Sequence, residues 1–166
     1  MPNSLFADAH SIRRLLSVTD EQVRALAELV IDCVDGGAVE FWGRVAEAVV
    51  RGERALLVAE DASGVVGTVQ LLLDQPENQP HRADLSKMLV HRRARRRGVG
   101  GALLRAAENL ARESGKTLLV LDTASSDAER LYARLGWQKC GVIPGYALLP
   151  RGGLCATTYF YRELGN

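Results

Sequence analysis

Met88-Leu89-Val90-His91-Arg92-Arg93-Ala94-Arg95-Arg96-Arg97-Gly98-Val99-Gly100-Gly101-Ala102-Leu103-Leu104 is the most informative segment of the 166-residue chain. An apolar strand ends, a basic loop follows, and glycines open a helix whose Leu103, Leu104, Ala107, Leu110 and Ala111 share one face. Glycine lets the backbone turn tightly and lets a ligand approach it closely. The first N–H groups of a helix have no partner inside it, and the helix dipole is positive there. Together these predict an anion site suited to phosphate. Arginines at 92, 93, 95, 96 and 97 repel one another and favour an anionic partner. The segment is not a Walker loop, because no Gly-Lys-Ser/Thr follows. It is not a dinucleotide fingerprint either, because Leu103 stands where a third glycine is needed. What remains is Arg95-x-x-Gly98-x-Gly100.

Outward from that segment, the chain alternates between the two periodicities. Thr19-Asp20-Glu21-Gln22 reads as a capping box, and Val23, Leu26, Ala27, Val30 and Val34 continue it as a helix ended by Gly36-Gly37. A second amphipathic helix covers about Val39 to Val50. Ala55–Ala59 and Val65–Leu73 read as a hairpin around Ser63-Gly64. Asp84–Val90 is a third strand after a polar, proline-bearing loop at 74–80. Gly98–Ser114 is helical and Gly115 stops it. Thr117–Leu121 is a short apolar strand of the buried parallel kind. Ser126-Asp127-Ala128-Glu129 reads as another capping box, with a helix to Leu135 and a stop at Gly136. Trp137–Gly141 and Ala156–Leu164 are the last strands, and a first strand is expected around Ser11 to Val18. The span from about 85 to 121 is one βαβ unit, right-handed by default. A single α/β domain over 1–166 is expected.

Composition narrows the class. Hydrophobic residues are 47% and charged residues 25% of the chain, which excludes a disordered chain, a collagen and a coiled coil. Twenty-one Lys and Arg against 20 Asp and Glu leave a net charge of +1, with no global pull toward nucleic acid or membrane. Cys33, Cys140 and Cys155 are far apart and odd in number, so neither a disulfide framework nor a zinc knuckle is expected. His10, His81 and His91 show no ligand spacing, and no metal is expected. No segment approaches the ~20 apolar residues of a membrane helix. The N-terminus lacks a basic region followed by an apolar run. A cytoplasmic protein is expected.

Arg95-x-x-Gly98-x-Gly100 resembles motif A of the GNAT acetyltransferases, [QR]-x-x-G-x-[GA], which cradles the pyrophosphate of acetyl-CoA. Ala128, Leu131, Tyr132, Gly136 and Trp137 match the N-x-x-A-x-x-L-Y-x-x-x-G-[FW] signature that the family often carries. Ser125 stands where that signature has Asn. Gly36-Gly37-Ala38, Arg82-Ala83-Asp84, Lys87-Met88-Leu89-Val90, Leu121-Asp122-Thr123, Pro144-Gly145-Tyr146 and Thr158-Tyr159-Phe160 look like the tabtoxin-resistance type of small-molecule acetyltransferase. The resemblance implies a mostly antiparallel sheet of six to seven strands, splayed at the cofactor, with about four helices. It implies acetyl-CoA as co-substrate, held by Met88, Leu89, Val90, Arg95, Arg96, Arg97, Gly98, Val99, Gly100, Gly101, Ala102, Ser125, Asp127 and Ala128. It implies an N-acetyltransferase for a primary amine of a small molecule, an amino-acid-like toxin, antibiotic or metabolite, acting by direct attack in a ternary complex. Resistance to a toxin is one use of such an enzyme.

Three chemical tasks follow: deprotonating the ammonium, stabilising the thioester oxygen and protonating the leaving thiolate. The resemblance gives the last task to Tyr132, a phenol protonated at neutral pH. The bland alternative is a core tyrosine in the stripe with Ala128, Leu131 and Leu135. The resemblance gives the oxyanion to a backbone N–H near Leu89 to Val90. Asp84 and Asp122 are candidates for the base or for holding the cationic amine, although Asp at strand ends commonly serves turns and caps. Strand parity puts Asp84 with Ser86, Met88 and Val90. His91 reads as a solvated loop residue rather than a base, and the cysteines as ordinary thiols rather than nucleophiles. Phe41 and Trp42 could wall an acceptor pocket, but at helical spacing they read as core. The pocket would be closed by the Gly36-Gly37 region and a loop at 144–154.

Three other functions are compatible with the sequence. One is the same chemistry on a protein or peptide amine, which calls for an open, acidic groove. The second is a polyanion or nucleic-acid module built on the basic run at 91–97. The third is a silent acyl-CoA-binding domain. No nucleic-acid partner is expected, and the chain could be a monomer or a homodimer.

Overall fold

The computed structural model describes residues 10–31, 38–149 and 151–165. Strand β1 (Ser11–Leu15) precedes helices α1 (Asp20–Ile31) and α2 (Ala38–Val50), then β2 (Arg54–Asp61), β3 (Gly64–Leu72) and β4 (Arg82–Val90). A single 3₁₀ turn (Arg92–Ala94) leads to α3 (Val99–Glu113), β5 (Leu118–Thr123), α4 (Ser126–Arg134), β6 (Gln138–Leu148) and β7 (Leu154–Glu163). The expected first strand is β1. The Thr19 capping box forms in both directions: the Gln22 N–H donates to Thr19 Oγ1 at 3.2 Å, and the Thr19 N–H donates to Gln22 Oε1 at 2.9 Å. Gly36-Gly37, Val34 and Cys33 lie outside the described residues.

The strands form one sheet in the order β1-β2-β3-β4-β5-β7-β6. Every neighbouring pair is antiparallel except β4 and β5. Strand β5 is therefore parallel to one neighbour only, and its last turn outward leaves Asp122 exposed. The β2 pleat shows how the two faces are covered. Leu57 enters the cluster built with Leu71, Leu103, Leu104, Leu119, Tyr132, Trp137 and Phe160 beneath α3 and α4. Leu56 and Val58 enter a second cluster with Leu15, Leu26, Trp42 and Val45 beneath α1 and α2. Burying each leucine stabilises the domain by roughly 1.5–3 kcal/mol. Trp42 is fully buried and belongs to that core, not to a pocket wall.

Three expectations are corrected. The α4 cap is Ser125, not Ser126: Ser125 is extended (φ −99°, ψ 121°) and its Oγ accepts from the Ala128 N–H at 3.3 Å. With the cap one residue earlier, Glu129 cannot reach back to it, and its carboxylate instead accepts from Thr158 Oγ1 at 2.9 Å. The region 144–154 is not a loop throughout, because β6 continues to Leu148 and β7 begins at Leu154. Alternating pairing of Ala147 with Cys155 and Leu148 with Leu154 extends the hairpin. Finally, Asp84, Ser86, Met88 and Val90 do not share a face. Gln70 lies opposite Ser86 but Thr68 lies opposite Leu89, so β4 holds one extra residue. Lys87 sits in this bulge at φ 49°. A bulge reverses the parity beyond it. Asp84 and Ser86 face α1 and α2 by register with Gln70, while Met88 and Val90 turn toward α3, within reach of Gly100.

Candidate active site

The site begins where β4 leaves β5. Their pairing is limited to Arg82 with Leu118, Ala83 with Leu119 and Asp84 with Val120. Beyond Asp84 the two strands diverge, and the backbone from Leu85 to Val90 has no partner on the β5 side. A gap in a parallel pair exposes N–H and C=O groups that must find other partners. The βαβ crossover directs α3 at this gap.

The loop between β4 and α3 is held from several sides. The His91 N–H donates to the Val66 carbonyl at 2.8 Å, and His91 Nδ1 accepts from the Arg93 N–H at 3.2 Å. His91 is thus a half-buried cap of the 3₁₀ turn. Arg93 pairs with Asp61 through Nη1 at 2.7 and 3.0 Å. Burial opposes ionisation of Asp61, yet the Ser63 N–H and the Arg93 guanidinium hold its carboxyl below the usual range. Arg95 Nε donates to the Val90 carbonyl at 3.2 Å. Arg96 (φ 62°) and Gly98 (φ 78°) both take left-handed backbone, which turns the chain into the helix. Glycine meets this at no steric cost.

Gly98 is the N-cap of α3, and no side chain caps the helix. Nothing lies within 4 Å of where a Gly98 Cβ would stand. The first N–H groups of α3 have neither a side-chain cap nor an internal acceptor, a fit for phosphate oxygens. Gly100 serves a different purpose. A Cβ there would stand 3.1 Å from both Leu131 Cδ2 and Met88 Cε. Its bare backbone lets α3 sit against β4 and α4. Of the other predicted cofactor residues, Arg95, Arg96, Arg97, Ser125 and Asp127 are exposed, Val99 and Gly101 are buried, and Leu89, Ala102 and Ala128 are intermediate. Asp127 pairs with Arg130 within α4. The Ser125 oxygen is occupied as the α4 cap, which leaves its O–H as the polar group it can offer a ligand.

Tyr132 comes from α4 and is only 4% exposed. Its ring packs 5.9 Å from Trp137 and 5.7 Å from Phe160. Trp137 is fixed in turn by its Nε1–H donating to buried Glu108 at 3.1 Å. Burial first, and the Asp122 charge second, push the Tyr132 hydroxyl up to about 12. Its packing is that of the core alternative, and its ring lies on the α3 side of the sheet.

Asp84 and Asp122 lie on the opposite, α1–α2 face. Asp84 is engaged by the Arg82 guanidinium and accepts from Gln75 Nε2 at 3.2 Å. Asp122 accepts from Thr157 Oγ1 at 2.7 Å. Two tyrosines join them. Tyr159 is the β7 partner of Asp122, and its hydroxyl lies 2.7 Å from that of Tyr146, with the rings edge to face at 5.9 Å. The hydrogen bond to Tyr146, then burial and the field of Asp122, hold the Tyr159 hydroxyl up at about 12. Sequence reasoning did not pick out this pair as a site. Only the β5–β7 register, which spacing does not reveal, puts Tyr159 beside Asp122. Among the described residues no group of three His, Cys, Asp or Glu could hold a metal ion. No helix among them is long and apolar enough to cross a membrane.

The class is thus a mixed α/β domain in which one splayed parallel strand pair stands before a glycine-opened, uncapped helix. The family follows from comparison with known proteins. Residues 52–139 match the acetyltransferase (GNAT) domain model, and the chain belongs to the GNAT acetyltransferase family. Human N-acetyltransferase 8B is 38% identical over 87 residues, covering 51% of this chain and 38% of that protein. The chain thus aligns with well under half the length of this curated relative. Among solved structures, an N-acetyltransferase from Staphylococcus aureus superposes with a TM-score of 0.81 at 16% identity, covering 95% of this chain and 99% of that one. A phosphinothricin acetyltransferase from Sinorhizobium meliloti, solved with acetyl-CoA, gives 0.78 at 19% identity over 94% and 89%. A ribosomal-protein-alanine N-acetyltransferase from Brucella melitensis gives 0.77 at 24% identity over 92% and 99%. At these identities the likeness is one of fold.

Proposed function

We propose that the protein is an acetyl-CoA-dependent N-acetyltransferase acting on the primary amine of a small molecule. The observation that carries this reading is the β4–β5 gap ending directly before the uncapped N-terminus of α3. Bound acetyl-CoA supplies an acyl group activated as a thioester. The α3 N–H groups from Gly98 to Gly101, with Arg95, Arg96 and Arg97, meet its phosphates, while the Ala102 N–H closes the first helical turn on the Gly98 carbonyl. The unpaired backbone from Met88 to Val90 meets its arm and the thioester oxygen. Ser125, Asp127 and Ala128 line the far side of the same cleft.

Tyr132 faces the leaving sulfur. A hydroxyl pushed to about 12 stays protonated at neutral pH. It exceeds an ordinary thiol, near 8.5, by roughly three to four pK units, or about 5 kcal/mol against full transfer. Tyr132 therefore donates a hydrogen bond to the developing thiolate rather than surrendering its proton. Asp122 and Asp84 hold the ammonium on the opposite face and receive its proton directly or through water.

The resemblance to the tabtoxin-resistance type and the likeness to a phosphinothricin acetyltransferase support a small acceptor, with resistance to a toxin as one use. Free thiols at Cys140 and Cys155 suit the cytoplasm. A screen of small amines against peptides, read as free thiol released from acetyl-CoA, tests the reading. Turnover confined to small amines supports it, and turnover confined to peptides replaces the acceptor class.

A further inference from the structure

We propose that Lys87 binds a carboxylate of the acceptor, so that the substrate is a small zwitterion carrying its amine and its carboxylate in one molecule. This inference rests on the transferase reading and specifies its substrate. Lys87 occupies the β4 bulge, just beyond the last β4–β5 pair. It is one of two non-glycine residues with left-handed backbone among those described. Such strain persists only where the surroundings impose it, and it gathers at ligand sites. Its long, exposed side chain reaches toward α2. The ammonium stands 5.1 Å from the centroid of the Phe41 ring, contributed by α2. That contact pre-orders the cation without neutralising it. Lys87 pairs with no carboxylate among the described residues.

Opposite charges flank the gap. The Lys87 cation stands on β4 against Phe41 of α2. The Asp122 carboxylate and the Tyr146–Tyr159 pair stand across it on β5, β6 and β7, while Asp84, on β4 itself, is already engaged by Arg82. An amino acid matches this polarity, its ammonium toward Asp122 and its carboxylate toward Lys87. A peptide N-terminus does not, because an uncharged amide stands where the carboxylate is needed.

The test measures acetylation of free α-amino acids and of the matching α-carboxamides at saturating acetyl-CoA. Wild type, Lys87→Met, Lys87→Arg and Phe41→Leu are compared, and calorimetric CoA affinity serves as the check on folding. The expected result is preference for the free acids in the wild type. Lys87→Met raises KM for the acids about 10- to 100-fold, as for loss of one charge-assisted hydrogen bond, with kcat and CoA affinity kept. Lys87→Arg retains most of the preference, Phe41→Leu weakens it, and the carboxamides are indifferent to all three. Equal use of acids and amides by the wild type overturns the proposal. So does a KM change in Lys87→Met that is shared by both series, or CoA binding without turnover of any free amino acid. Failure of the wild type to bind CoA refutes the transferase reading itself, and the proposal with it.

Discussion

Replacing Tyr132 with Phe separates its chemical role from its packing role. The phenyl ring keeps both aromatic contacts, at 5.9 Å to Trp137 and 5.7 Å to Phe160. Stability near neutral pH should therefore change by no more than about 1 kcal/mol. The lost interaction is a hydrogen bond to a developing thiolate, about 1.5–3 kcal/mol, so kcat should fall roughly 10- to 150-fold with CoA affinity unchanged. The pH dependence adds a second signature. The hydroxyl rises from 10.0 to about 12 on folding. Below pH 10 both folded and unfolded chains keep the proton, and the full stability is present. Between 10 and about 12 only the unfolded chain loses it, so stability falls as pH rises. The loss at the upper limit is roughly 2–3 kcal/mol for this buried group. Tyr132→Phe should lack that loss, making the variant relatively more stable in alkali. Free-thiol kinetics, calorimetry and urea titrations across this range read all three effects. A kcat within about threefold of wild type would remove Tyr132 from the leaving-group role.

Three further outcomes are expected. Gly100→Glu should abolish CoA binding by pushing the start of α3 off β4 and α4, because a Cβ there would stand 3.1 Å from Leu131 and Met88; retained calorimetric binding would refute the phosphate-loop assignment. Ser125→Ala should cost about 1 kcal/mol in urea unfolding by uncapping α4, while Ser125→Asn should retain the cap. Gly136→Ala should destabilise by roughly 1–3 kcal/mol, since φ is +84° and the new Cβ would stand 2.5 Å from Arg162 Nη1. The thermal midpoint of that variant reports it.

Local chemistry made most of the fold legible. The Thr19 cap, the Ser63-Gly64 turn and the Gly98 helix start are written in adjacent residues, and each stands where it was expected. The β4–β5 crossover followed from one strand–helix–strand pattern. The misplaced features depend on partners far along the chain. Parity across β4 fails because the bulge at Lys87 is set by pairing with β3, and a stretch reading Ser-Lys-Met-Leu carries no turn residue to announce it. The cap at Ser125 rather than Ser126 is decided by where β5 releases the chain. The site was legible where it is one segment, from Met88 to Ala102. It was not legible where register assembles it, as for Tyr146, Tyr159 and Asp122 on three strands.

Calorimetric titration with acetyl-CoA, repeated with a CoA lacking its 3′-phosphate and with pantetheine, tests the central claim most directly. The account predicts micromolar binding that weakens with each phosphate removed and with added salt. A folded protein that binds pantetheine as well as acetyl-CoA, or that binds neither, would contradict it.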